Sequence, residues 1–154
     1  MKSRAIWTQV AACSALFLMA RCSPPETAEP KPPSMDERQR LELAAEHRDK
    51  VLLEMRLMLE AVDRIMQGLN QDDLLAVGAA AKGAGMGMAA DIDPEIMRQL
   101  PKEFLDLGVR THTAFDVLGE RMEAGGTKED AIQGLAGLTG NCVGCHASYR
   151  LEAR

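Results

Sequence analysis

Leu52, Met55, Leu59, Val62, Met66 and Leu69 follow one another at steps of three and four residues. That spacing lays one apolar stripe along the side of an α-helix. The same spacing returns at Phe104, Gly108, Thr111, Phe115, Leu118 and Met122, and again at Ile132, Leu135, Thr139, Cys142, His146 and Tyr149. No strand-like alternation of any length interrupts these stripes. Ala, Leu, Met, Glu, Arg and Gln dominate the composition, whereas β-branched and aromatic residues are scarce, which also favours helix. The expected fold class is therefore all-α, an antiparallel four-helix bundle with short connections around one core.

The breaks between stripes set the expected boundaries. Helix 1 is predicted from Asp36 to Leu69, ending at Asn70-Gln71-Asp72. Asp72 is the expected cap of a second helix carrying Leu74, Leu75 and Val77 through Ala81. Lys82 to Met88 holds three glycines and is predicted to be a loop. Asp93-Pro94 marks the capped start of a short helix that yields at Pro101. The third long helix begins near Pro101 and stops at Gly125-Gly126. Thr127 to Asp130 resembles a capping box with Asp in the place of Glu, opening the last helix.

Ahead of these helices, residues 1–21 combine Lys2 and Arg4 with an apolar run through Ala20. A short basic start and an apolar stretch of this size read as a secretory signal, too short for a spanning helix. A retained N-terminal anchor is the alternative. Cys22 followed by Ser-Pro-Pro resembles the start of a bacterial lipoprotein, although Arg21 stands where that motif has a small residue. Cys22 is thus a candidate lipid-bearing residue for membrane attachment. Residues 22–34 contain five of the seven prolines and are expected to act as an extended tether, with the folded domain at 35–154. The formal net charge of −5 becomes −8 once residues 1–21, with three cations and no acids, are removed. An acidic surface of this kind argues against nucleic acid as a partner and suits a basic redox protein.

Cys142-Val143-Gly144-Cys145-His146 carries the chemistry. C-x-x-C-H is a haem-attachment pattern, in which two thiols add to haem vinyl groups and the adjacent imidazole ligates the iron. On a helix, Cys142 and His146 lie four apart with Cys145 beside them, so all three address one side. That side is the apolar stripe of the last helix, which would carry one haem c per chain into the interior. With one Trp, one Tyr and three Phe in the chain, core volume is left for Leu, Met or such a cofactor. Three other readings compete. A Cys142–Cys145 disulfide ignores His146, and a thioredoxin-like pair wants a βαβ setting. A zinc site would need a further ligand such as His47 or His112.

Only eight residues follow His146, so a second axial ligand must come from an earlier helix. This arrangement resembles the class II c-type cytochromes, the cytochrome c′ and cytochrome c556 family, whose four-helix bundle ends with the attachment motif. The resemblance spans about Met35 to Arg150 and is sharpest at Cys142 to Arg150, which is similar to the family's C-x-x-C-H-x-x-[YF]-R ending. It implies His146 as proximal iron ligand, Arg150 against the proximal haem face, and Phe104 and Phe115 as haem-packing residues. Matching Arg64 to an arginine of the family places Met55 at its distal position, and the helix-1 stripe independently turns Met55 inward. Met58, Met66, Met86 and Met88 are rivals. His112, displaced from the Phe104–Phe115 stripe, is expected at a surface or edge, and His47 is expected in solvent.

A methionine at the distal position implies a periplasmic electron-transfer protein working with redox partner proteins, not an enzyme. An open distal face implies the alternative, a five-coordinate c′-type protein that binds small gases such as nitric oxide. Members of the family often form homodimers, and a homodimer is therefore among the arrangements implied here. A haem-free bundle stapled by its cysteines is the third reading.

Overall fold

A computed structural model describes residues 35–154. The expected signal peptide, the expected Pro-rich tether and the candidate lipid-bearing Cys22 fall at 1–34, outside the described residues. The chain runs β1 (Gln39–Leu43), α1 (Ala45–Asn70), α2 (Leu74–Lys82), α3 (Met86–Ala89), α4 (Pro94–Gln99), α5 (Lys102–Glu123), α6 (Lys128–Ser148) and β2 (Tyr149–Ala153). Helix covers 73% of these residues, so the expectation of a helical protein holds for the bulk of the domain.

It fails at both ends. Residues 39–43, predicted as the first turns of helix 1, form a strand, and Tyr149, expected on the stripe of the last helix, begins another. The two pair in parallel, from Gln39 beside Tyr149 to Leu43 beside Ala153, and the Arg154 N–H donates to the Leu43 carbonyl at 3.0 Å. Gln39-Arg40-Leu41-Glu42-Leu43 does alternate, with Leu41 and Leu43 buried and their neighbours exposed. Two apolar positions are too short a run to stand out as a period of two, and the partner strand lies more than a hundred residues away. Leu43 is fully enclosed, so a ribbon that would be marginal alone is held by the core beneath it.

Local chemistry explains the helix ends. Asp73, not Asp72, caps α2, its carboxylate accepting from the Ala76 N–H at 2.9 Å. Asp72 instead takes the left-handed turn conformation, φ 55°, and meets Lys128 at 2.6 Å. Asp93 caps α4 with Pro94 in its first turn. Thr127 and Asp130 form the expected capping box. Hydrogen bonds from the Thr127 N–H, Arg121 and the Thr127 hydroxyl hold the Asp130 carboxyl down to about 2. Within the predicted loop, Met86–Ala89 makes a single helical turn. Its entry is fixed by α5, because Asp116 Oδ2 accepts from the Met86 N–H at 2.8 Å. A Cβ on Gly85 would stand 1.7 Å from Asp116 Oδ1, so this approach requires glycine.

α2 packs on α1 and α5, and α5 packs on α6. Two apolar clusters result. The larger joins Ile65, Leu69, Val77, Phe115, Leu118 and Leu138 among others. The smaller joins Leu41, Leu43, Val51, Ile96 and Phe104. The helix-1 stripe needs one correction: Leu59 is 69% and Met66 54% exposed, while Ala61, Ile65 and Leu69 are buried. α2 covers the flank carrying Ala61, Ile65 and Gly68, where a Cβ on Gly68 would lie 2.8 Å from Val77. Apolar residues surround this helix more widely than one stripe, so packing by α2 selects which face is covered.

Candidate functional site

Between the two clusters lies a cavity of about 740 Å³, within the roughly 300–1,000 Å³ that small-molecule and cofactor sites span. α6 contributes Thr139, Cys142, Cys145 and His146 to its wall, and α1 contributes Leu52, Met55, Met58 and Val62. Phe104 and Phe115 of α5 line it, as do Met86, Ile96 and Met97 of the connecting segment. Cys142 packs on the larger cluster and Cys145 on the smaller one, so the motif straddles the gap between the two cores. Its helical setting puts one turn between Cys142 and His146. Both thiols are free and half-buried. Burial pushes both of their pKa values up, and Cys142 adds to the effect at Cys145.

α6 closes at Ser148, and an arginine from the other end of the domain braces this terminus. Arg38 Nη1 donates to the His146 carbonyl at 3.3 Å, and its guanidinium also holds Asp36 at 2.7 Å. Those Arg38 contacts keep the Asp36 carboxyl well below the usual carboxylate range. Arg150, expected against the proximal haem face, sits in β2 and is not among the cavity-lining residues. It reaches Glu152 at 3.4 Å and Asp36 at 3.6 Å, with its Nε buried and without a hydrogen-bond partner. Tyr149 meets Phe104 edge-on, ring centres 5.4 Å apart.

The methionines separate cleanly. Met55 and Met58 are half-buried and line the cavity from α1, and Met86 lines it from α3. Met66 is exposed and lies away from the cavity, and Met88 packs on the larger cluster without lining it. His112, expected at a surface or edge, is instead only 3% exposed and part of the wall. The α2–α3 corner packs on this flank of α5, widening its buried face beyond the Phe104–Phe115 stripe. His112 Nδ1 meets the Ala84 carbonyl at 2.7 Å, and Nε2 lies 3.3 Å from Glu54 Oε1. That oxygen is buried and off the line of a good hydrogen bond. Burial disfavours the charged ring, but Glu54 and the Ala84 carbonyl outweigh it and raise the His112 pKa. His47, expected in solvent, is largely covered, its side chain 12% exposed and its Nδ1 3.2 Å from the Gln99 amide.

Sequence reasoning missed Glu54, Arg56 and Met97 in the wall. Arg56 had a visible signal: it stands four residues after Leu52, on the same side of α1. Gly108 also lines the cavity, and a Cβ built there meets nothing within 4 Å. Among the described residues no three His, Cys, Asp or Glu side chains are grouped as a metal site, and neither His47 nor His112 is arranged to complete one. No helix among them is long and apolar enough to cross a membrane.

A tetrapyrrole fits this donor set. Two thiols and an imidazole share one wall, thioethers share another, the lining is mostly apolar, and the wall at Gly108 leaves room for a flat ring. Comparison of the chain with protein-family models, with curated proteins and with solved structures finds no match.

Proposed function

We propose that the protein is a mono-haem c-type cytochrome of the class II kind, an antiparallel four-helix bundle that carries electrons outside the cytoplasm. One observation carries the reading: Cys142, Cys145 and His146 open into the same apolar cavity as Met55 and Met58. Cys142 and Cys145 would hold the haem as thioethers, each by addition of S–H across a vinyl group, sulfur to one carbon and hydrogen to the other, which needs no oxidant. His146 of α6 and Met55 of α1 would be the residues that hold the haem iron. When bound, the haem supplies one-electron cycling between ferric and ferrous iron. The chain's own part is to hold it and exclude water. Phe104, Phe115 and Ile96 keep the surroundings apolar, which favours the less charged ferrous state. Arg38 braces the turn bearing His146. The export signal, the tether and lipid at Cys22 belong to the same proposal, as do redox partner proteins.

Covalent attachment is tested on full-length protein matured where haem-attachment machinery is present. The denatured chain should keep its haem and show the added mass, and Cys142→Ala with Cys145→Ala should release it. A purified protein with stoichiometric zinc and no Soret band refutes the reading. The oxidised spectrum then divides the two haem states. A methionine–iron charge-transfer band marks the electron carrier, whereas a high-spin spectrum with avid nitric oxide binding marks the gas-binding alternative.

A further inference from the structure

Among the described residues, Arg56 is the one arginine in the cavity wall, and it is exposed, so its guanidinium stands where the cavity meets solvent. Leu52, one turn before it on α1, and Leu59, one turn after it, line the cavity as well. Among the described residues, Arg56 and Arg110 are the cationic side chains without an ion pair or side-chain hydrogen bond. Every other arginine and lysine has one. The carboxylate one turn on from Arg56 is Glu60, and Glu60 pairs with Arg64 at 3.9 Å. Arginine placed N-terminal to glutamate is the weaker order for such a pair. Glu54, the carboxylate in the cavity wall, is taken up by His112 at 3.3 Å. Arg56 is therefore left at the cavity mouth with no anion among the described residues paired to it.

We propose that Arg56 is the anchor for a carboxylate side group of the haem, a propionate. The inference rests on the haem reading. A haem has one apolar bulk and two carboxylates on one edge. Seating the bulk among Phe104, Phe115 and Met55 leaves that edge toward solvent, where carboxylates need water or a cation. A guanidinium answers with two parallel N–H donors matched to a carboxylate. Its positive charge near the ring also favours ferrous iron over ferric.

The test uses matured full-length protein with Arg56→Gln, Arg56→Lys and Arg110→Gln. Arg110 lines a separate groove between α5 and α6, so its variant removes the same charge away from the cavity. Redox-difference infrared spectra with isotope-labelled haem propionates report the carboxylates directly, and redox titration reports the midpoint potential. Arg56→Gln should shift a propionate band and lower the potential. Arg56→Lys should keep most of the potential yet shift the band, because a point charge replaces the fork. Arg110→Gln should leave the band unmoved. Propionate bands identical in wild type and Arg56→Gln overturn the proposal, as does an equal effect from Arg110→Gln. Wild-type protein that matures without covalent haem instead overturns the cofactor reading itself.

Discussion

Replacing His112 by Leu tests how this domain holds its cavity wall. The ring is almost entirely enclosed and joins two segments, the α2–α3 corner through the Ala84 carbonyl and α1 through Glu54. Leucine fills much of the volume but donates nothing. The Ala84 carbonyl then loses its 2.7 Å contact, which costs about 1–3 kcal/mol for a buried acceptor left unmade. Glu54, its side chain 15% exposed, loses its counter-charge. Residual solvent contact keeps this below the roughly 3–5 kcal/mol of a fully buried broken pair. A total loss of about 2–5 kcal/mol follows. The pH dependence supplies a second signature. The folded-state pKa of His112 is raised, so its contribution is complete below the unfolded value of roughly 6.5. It is lost as pH rises from there through the folded value. Urea denaturation of full-length wild type and His112→Leu, followed from pH 5 to 9, measures both effects. The stability gap should be widest at the acid end and narrow with rising pH. A variant within about 0.5 kcal/mol of wild type, or a gap independent of pH, would refute the reasoning.

Met55→Leu nearly conserves volume and should cost less than about 1.5 kcal/mol, while the iron spectrum turns high-spin and carbon monoxide binding becomes avid. A low-spin spectrum that persists moves the ligand to Met58, Met86 or His112, the other lining candidates, and an unchanged high-spin spectrum replaces electron transfer by gas binding. Leu43→Ala empties a fully enclosed site in the terminal ribbon and should cost about 2–5 kcal/mol by denaturant titration; a near-neutral change would mean that β1 does not close the smaller core. Gly85→Ala forces a Cβ into Asp116 and should break the Met86 N–H contact, at about 1.5–3 kcal/mol for a charged acceptor, with faster amide exchange at Met86 as the reading. Below pH 4, protonation of Asp130 should loosen the start of α6: its contribution, full above the unfolded value near 3.9, fades toward about 2 and should disappear in Asp130→Asn.

The sequence alone determined what depends on neighbours along the chain. Helical spacing, the Asp93-Pro94 start, the Thr127–Asp130 cap and the Gly125-Gly126 stop all act within a few residues, and each appears in the structure close to where it was read. The grouping of Cys142, Cys145 and His146 on one side of α6 is likewise a property of one helix. Tertiary structure decided what needs a second segment. Leu41 and Leu43 became strand because residues 149–153 return to pair with them, a contact carrying no local signature. His112 became a buried wall residue because the α2–α3 corner, admitted by Gly85, presses on that flank of α5. Met55 and Met66 look alike on the stripe, yet one lines the cavity and the other faces solvent. Periodicity says only that a helix has an apolar side; the partner that covers it determines where that side begins and ends.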